Sequence, residues 1–231
     1  MQSRMVLNRL EIGFGKVDIT PRVGVEMQGL GPYIHRRGLA VRDRLFARAI
    51  TVKQGGKTIV IISCDLIAVE RDVTHRVRAL AREATGLPGD AVMVHCTHTH
   101  SGPAVCPSHR GWGEIDEPYL VLLPALIARV AIEAATDISP AEVRHIKSPC
   151  EGLGINREDE AAPEPADSAL LENWRPKKPE RTDTTCHVLT IRKDDRVAGF
   201  VSSFGCHPVV CCALTTYLHG DFCGVAVIDY S

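Results

Sequence analysis

The stretch Ala91-Val92-Met93-Val94-His95-Cys96-Thr97-His98-Thr99-His100-Ser101-Gly102-Pro103 decides how the chain is read. Its apolar start has the composition of a buried strand. Read as one strand from Ala91 to His100, it puts His98 and His100 at i and i+2, facing the same way. Gly102-Pro103 then ends the strand and opens a loop. Paired imidazoles at the mouth of a strand suit a transition metal such as zinc, and so point to an enzyme. A lone histidine there would read as a polar strand end; a His-x-His pair reads as a ligand set.

Upstream, Glu11 to Thr20 reads as a strand stopped by Pro21, and Gly24 to Gly38, with Gly29, Gly31 and Pro32, as a long loop. Leu45 to Val52 and Thr58 to Ser63 are β-rich, and Gln54-Gly55-Gly56-Lys57 between them predicts a hairpin. Asp72 to Thr85 has helical spacing, with Val73, Val77, Leu80 and Ala81 on one face and Gly86 and Pro88 as stops. Downstream, Asp116-Glu117-Pro118 opens a helix whose apolar run from Tyr119 to Ala135 is dense enough to be largely buried. Glu142 to Ser148 predicts a strand. Glu158 to Thr185, rich in Glu, Pro, Ala and Lys around Trp174, reads as an exposed excursion or flap over 158–185. Cys186 to Arg192 and Val197 to Gly205 predict a hairpin across Lys193-Asp194-Asp195-Arg196, and Phe222 to Tyr230 starts a helix. Helices alternating with strands and hairpins predict an α/β fold, with layered mixed β-sheets flanked by helices in a single catalytic domain.

Composition narrows the classes. The 231 residues are 45% hydrophobic and 24% charged with a formal net charge of -1, ordinary values for a globular chain with a substantial core. No basic stripe forms, so nucleic acid is not an expected partner; His35-Arg36-Arg37 and Arg175-Pro176-Lys177-Lys178 read as solvated loops. No uninterrupted run reaches the ~18 apolar residues of a membrane span, and no export signal is visible, so a cytoplasmic protein without stable membrane insertion is expected. The nine cysteines show no disulfide framework and read as reduced thiols. Cys211, Cys212 and Cys223 match no C-x-x-C metal pair and read as small apolar residues.

Other positions could carry chemistry. In Phe204-Gly205-Cys206-His207-Pro208-Val209 a second buried strand ends in a histidine, and a catalytic zinc needs about three protein ligands from separate segments. In His219-Gly220-Asp221, Asp221 can hydrogen-bond a ligand imidazole while His219 caps the following helix. Asn156-Arg157 follows the turn Gly152-Leu153-Gly154, where the planar fork of arginine can reach a substrate carbonyl or carboxylate. Asp65 closes Ser63-Cys64-Asp65, either orienting a histidine or ending a strand.

With these segments in hand, the chain resembles the N-terminal catalytic part of the neutral/alkaline ceramidase family. The resemblance runs in order through Gly15-Lys16-Val17-Asp18-Ile19-Thr20-Pro21, Met27-Gln28-Gly29, Ala47-Arg48-Ala49, Thr97 to Pro103, Gly154-Ile155-Asn156-Arg157, Cys206-His207-Pro208 and His219-Gly220-Asp221-Phe222-Cys223-Gly224. It implies a zinc-dependent hydrolase that cleaves a C–N amide bond in a small linear or cyclic amide. His98 and His207 would be zinc ligands. His100 would face the substrate as proton donor or oxyanion partner, and Arg157 would sit at the rim. Asn156, Asp221 and Asp65 would support the site. The family completes its metal site with a later glutamate and tyrosine. The run Val225-Ala226-Val227-Ile228-Asp229-Tyr230-Ser231 carries no helix stop and looks cut inside an apolar helix. The expectation is therefore a site completed by more polypeptide, from a second chain or a homo-oligomer if not from this one. The alternatives are a zinc-dependent esterase or lactonase and a non-catalytic subunit that pairs with a second chain.

Overall fold

A computed structural model describes residues 10–159, 175–211 and 214–227. The chain divides into two compact units, Met1–Ala141 with Pro208–Ser231, and Glu142–His207.

The first unit is built on a five-stranded sheet in the order β5-β4-β3-β1-β6. Its strands are β1 (Glu11–Asp18), β3 (Phe46–Gln54), β4 (Lys57–Cys64), β5 (Val92–Cys96) and the short β6 (Ser139–Pro140). β1, β3 and β4 pair antiparallel. The β3–β4 turn is at Gly55 and Gly56, with φ of 59° and 76°, the positive pair that a tight hairpin needs and glycine supplies without strain. β5 pairs parallel with β4, which requires a crossover, and α1 (Arg71–Thr85) provides it. Val73, Val77 and Ala81 form the buried stripe of α1, and Gly86 ends it in the left-handed conformation, its N–H bonded to the Arg82 carbonyl at 2.8 Å. Leu80, expected on that stripe, is 37% exposed and turns toward a shallow groove shared with Ala125, Ala128 and Ile132.

α2 (Glu117–Thr136) starts at Asp116 and packs on β1, β3 and β4. Tyr119, Leu123, Ile127, Val130, Ala131 and Ala134 are buried against Val17, Ala47, Ala49 and Ile62. Two glycines let the helix approach so closely: a Cβ at Gly13 would lie 2.0 Å from the Ala134 carbonyl oxygen, and one at Gly15 2.4 Å from that of Val130. By length and a mean hydropathy of 1.7, α2 would suffice to cross a membrane, which the sequence reading did not expect of any run. Here its apolar face is committed to the sheet, and Arg129 and Glu133 pair on its exposed side at 2.9 Å. β2 (Ala40–Val41) pairs parallel with β10 (Tyr217–Leu218), which leads into the short α3 (Asp221–Val225).

The second unit is a three-stranded antiparallel sheet, β7 (Glu142–Pro149), β8 (Thr185–Lys193) and β9 (Arg196–Ser203), with β8 central. The predicted hairpin forms at Asp194 and Asp195, both at positive φ. Most of the expected excursion lies outside the described residues; its described ends are a turn at 157–159 and a single helical turn at Pro179–Arg181. Together the two units make a mixed α/β protein, as the alternation of patterns predicted.

Candidate active site

The decisive stretch folds differently from its sequence reading. β5 stops at Cys96, and Thr97 to Pro103 form a loop. His98 takes φ 69°, so the histidines do not share a strand face. A turn brings them together instead: their rings meet edge to face, centroids 4.9 Å apart at 80°. The apolar run ends where the strand ends, because beyond Cys96 the backbone bonds leave the ladder. Thr97 N–H reaches the Cys64 carbonyl and His98 N–H that of Leu66, both at 2.9 Å.

Side chains and backbone from distant segments then fix the loop. Thr99 Oγ1 donates to the His219 carbonyl at 3.1 Å and accepts from Ser101 N–H at 3.2 Å. His219 N–H returns to the Ser101 carbonyl at 3.2 Å. Gln28 is buried, with its N–H on the Gly102 carbonyl at 3.2 Å and its Oε1 accepting from Val105 N–H at 3.2 Å. Arg36 is also buried. Its guanidinium donates to the carbonyls of His100 and Thr215, the latter at 3.3 Å. The stretch His35-Arg36-Arg37, expected as a solvated patch, is exposed at His35 and Arg37 but buries Arg36. Buried Glu26 accepts from His35 at 3.2 Å and Arg37 at 3.4 Å. Gly29, at φ 106°, is pressed on His100: a Cβ there would stand 2.5 Å from the ring Nδ1.

The two imidazoles differ in setting. His98 is exposed, and its Nδ1 lies 2.7 Å from the Ile67 carbonyl. A carbonyl accepts only, so the proton sits on Nδ1 and the lone pair on Nε2. That is the tautomer a metal-binding histidine needs, oriented by a backbone acceptor. His100 is 8% exposed, a fixed ring rather than a swinging one.

Asp65 follows β4 and is fully buried. Its Oδ2 pairs with Arg48 at 2.7 Å and accepts from Phe46 N–H at 2.9 Å, so it joins strand ends. Burial raises its carboxyl above the usual range, against the opposing pull of Arg48. Asp65 Oδ1 is buried with no hydrogen-bond partner among the described residues, and a Cβ at Gly220 would lie 3.4 Å from its Cγ. The Asp65 carboxylate therefore faces the turn of His219-Gly220-Asp221. In that turn Asp221 N–H donates to His219 Nδ1 at 3.0 Å, and Asp221 Oδ1 accepts from Phe222 N–H at 2.8 Å. His219 thus caps α3, as its sequence position suggested. Cys211 joins these two in a thiol–imidazole–carboxylate group within 4.8 Å, but the Nδ1 lone pair is spent on the cap.

The remaining candidates belong to the second unit. Asn156 closes a turn, its Oδ1 accepting from Glu158 N–H at 3.1 Å and its Nδ2 donating to the Arg181 carbonyl at 3.3 Å. Arg157 is exposed and forms no salt bridge among the described residues. Cys206 lies against Gly154, where a Cβ would come within 3.4 Å of its Sγ. His207 follows β9 and ends this unit, and Pro208 re-enters the first. Sequence reasoning missed Arg36 and Glu26. Their one signal was a charged pair flanking a glycine-rich loop, which resembles ordinary surface.

The fold and this loop define a mixed α/β domain that displays two histidines, one exposed and one enclosed, beyond a parallel strand. Residues 10–230 match the family described as neutral/alkaline non-lysosomal ceramidase, N-terminal, and the chain belongs to that family. The fold is similar to that of neutral ceramidase from Pseudomonas aeruginosa (TM-score 0.80, 22% identity), covering 97% of this chain and 36% of that one. It is similar also to a ceramidase complexed with C2, at TM-score 0.79, 22% identity and the same coverage. The chain thus spans about a third of those solved chains. No curated protein matches it in sequence.

Proposed function

We propose that this chain is the N-terminal catalytic portion of a zinc-dependent hydrolase that cleaves the C–N bond of a small N-acyl compound. Family membership supports the reaction class. The observation that carries the metal assignment is the 2.7 Å contact from His98 Nδ1 to the Ile67 carbonyl, because it sets the lone pair on the outward nitrogen. In this reading His98 and His207 hold the zinc, and further polypeptide supplies the remaining donors. Bound zinc would supply Lewis-acid polarisation of the scissile carbonyl and a water of lowered pKa. His100, held by Arg36 and Gly29, donates a hydrogen bond to the oxygen that gains charge as the carbonyl carbon becomes tetrahedral. Arg157 offers its fork to the same oxygen or to a substrate carboxylate. Asn156 shapes the turn beside it, and Asp65 and Asp221 stiffen the surrounding loops.

The test is zinc content by elemental analysis together with hydrolysis of matched amide and ester substrates. His98→Ala and His207→Ala each lose zinc and activity. His100→Gln keeps the zinc and loses on the order of 100-fold in rate, as expected when one positioned proton donor or oxyanion partner is removed. Full zinc occupancy in both alanine variants would overturn the metal assignment, and preference for the ester would overturn the amide.

A further inference from the structure

The second unit brings two cysteines together where the chain leaves β7 and later enters β8. Cys186 lies opposite Ser148 in the ladder, and the Cys150 N–H extends that ladder by donating to the Thr184 carbonyl at 2.8 Å. Opposite residues share a face of the sheet, and so do alternate residues along a strand. Cys150 and Cys186 are therefore diagonal neighbours on one face. Their side chains are hydrogen-bonded to each other, sulfur to sulfur. Both thiols are free and half-buried, so small solutes reach them.

We propose that Cys150 and Cys186 form a reversible oxidation site, which a small-molecule disulfide of the glutathione class converts into a protein disulfide tying the end of β7 to the start of β8. The chemistry needs two neighbouring thiols. The thiolate of one cysteine attacks a sulfur of the small disulfide, so a mixed disulfide forms and one small thiolate leaves. The second cysteine then loses its proton and attacks the protein sulfur of that mixed disulfide, displacing the second small thiolate, which takes up a proton. Two protein thiols are oxidised and one small disulfide is reduced to two thiols. Burial, and then the neighbouring Cys150, hold the Cys186 thiol above its ordinary value, which gives Cys186 the second step.

The local backbone can accept the bond. A disulfide needs its sulfurs about 2.05 Å apart and its Cβ atoms about 3.5–4.5 Å apart, closer than hydrogen-bonded thiols stand. Cys186 is held inside β8, but Cys150 is the first residue beyond β7, and Gly152 takes φ 74° in the turn that follows. The approach is made from the Cys150 side. Asn156 already joins the two ends of the segment by donating to the Arg181 carbonyl at 3.3 Å. The disulfide adds a covalent tie to the same neck, beside the turn that carries Arg157.

The experiment is equilibration of the 231-residue chain with mixtures of oxidised and reduced glutathione, followed by alkylation, tryptic digestion and non-reducing peptide mapping by mass spectrometry. Trypsin puts Cys150 in peptide 148–157 and Cys186 in peptide 182–192, and it leaves Cys206 in a third. The expected result is a 148–157/182–192 linked pair that dithiothreitol reverses, with amide exchange at 150–156 slowed roughly tenfold in the oxidised chain. In Cys150→Ser and Cys186→Ser the link is lost and the remaining cysteine accumulates as its glutathione adduct, whereas Cys206→Ser keeps the link. Recovery of Cys150 and Cys186 only as separate glutathione adducts would overturn the proposal. So would linkage of either one to Cys206, whose Sγ lies 4.0 Å from the Leu153 carbonyl in the same unit. Because the readout is the link itself, the outcome does not depend on whether the chain is a hydrolase.

Discussion

His98 is legible as a candidate ligand from its sequence neighbours, but its conformation is not. A strand reading puts it on a shared face with His100; the structure puts it at φ 69° in a turn. The pairing survives because the loop is fixed by partners too distant in sequence for any local pattern to show. Gly29 is one of them. Gly29→Ala adds a Cβ 2.5 Å from the His100 ring at a φ of 106°, so the chain loses roughly 1–3 kcal/mol in urea unfolding and His100 shifts. Arg36 is another. Arg36→Met removes the donor behind His100, so under the proposed function hydrolysis falls while zinc content stays, a split that rate and metal assays on one preparation resolve. Asp65 shows the same limit from the other side. The sequence offered it a histidine or a strand end, and Arg48 takes it at 2.7 Å. Arg48→Met leaves that fully buried carboxylate without its cation, and about 3 kcal/mol of stability is lost in chemical denaturation.

At the scale of elements, α1, α2 and the β3–β4 hairpin were readable because periodicity, caps and turn glycines agree. At the Asp116 start of α2 the carboxylate is held by an ion pair and makes no side-chain cap bond. Arg22 donates to both its oxygens, at 2.7 and 3.3 Å, and holds the carboxyl below its ordinary value of 3.8. A group with a depressed folded pKa stabilises the fold above its unfolded value and loses that contribution as pH falls through the folded one. Asp116→Asn therefore lowers the thermal midpoint at neutral pH and flattens the stability profile on the acid side of 3.8, while wild type and variant converge at lower pH. The buried stripe of α2 is less forgiving. Ile127 is fully buried, so Ile127→Ala costs about 2–5 kcal/mol in equilibrium unfolding. The strand β5 was misjudged at its end alone. Thr97 to His100 keep an alternating look, but their hydrogen bonds go to Cys64, Leu66 and His219.

For the whole molecule, the α/β class was readable from the alternation of patterns, whereas the division into two units was not, because no composition break marks Ala141 or His207. The units also differ in how they are held. The five-stranded sheet is backed by α2, but every residue of β7 is exposed. Amide exchange should be markedly faster in β7 and β9 than in β3 and β4, and equal protection would show that the second sheet is covered in solution.

Arg36 and Thr215 are joined by a hydrogen bond across 179 residues of chain. A ribosome adding about 5–20 residues per second needs roughly 10–35 s to cover that distance. During that time the entire second unit emerges, while the first has its sheet but not the segment that closes its histidine loop. The nascent protein must therefore keep a half-assembled first unit soluble while a second one forms in the interruption. Synthesis speed and chaperone occupancy across residues 142–207 then become determinants of yield.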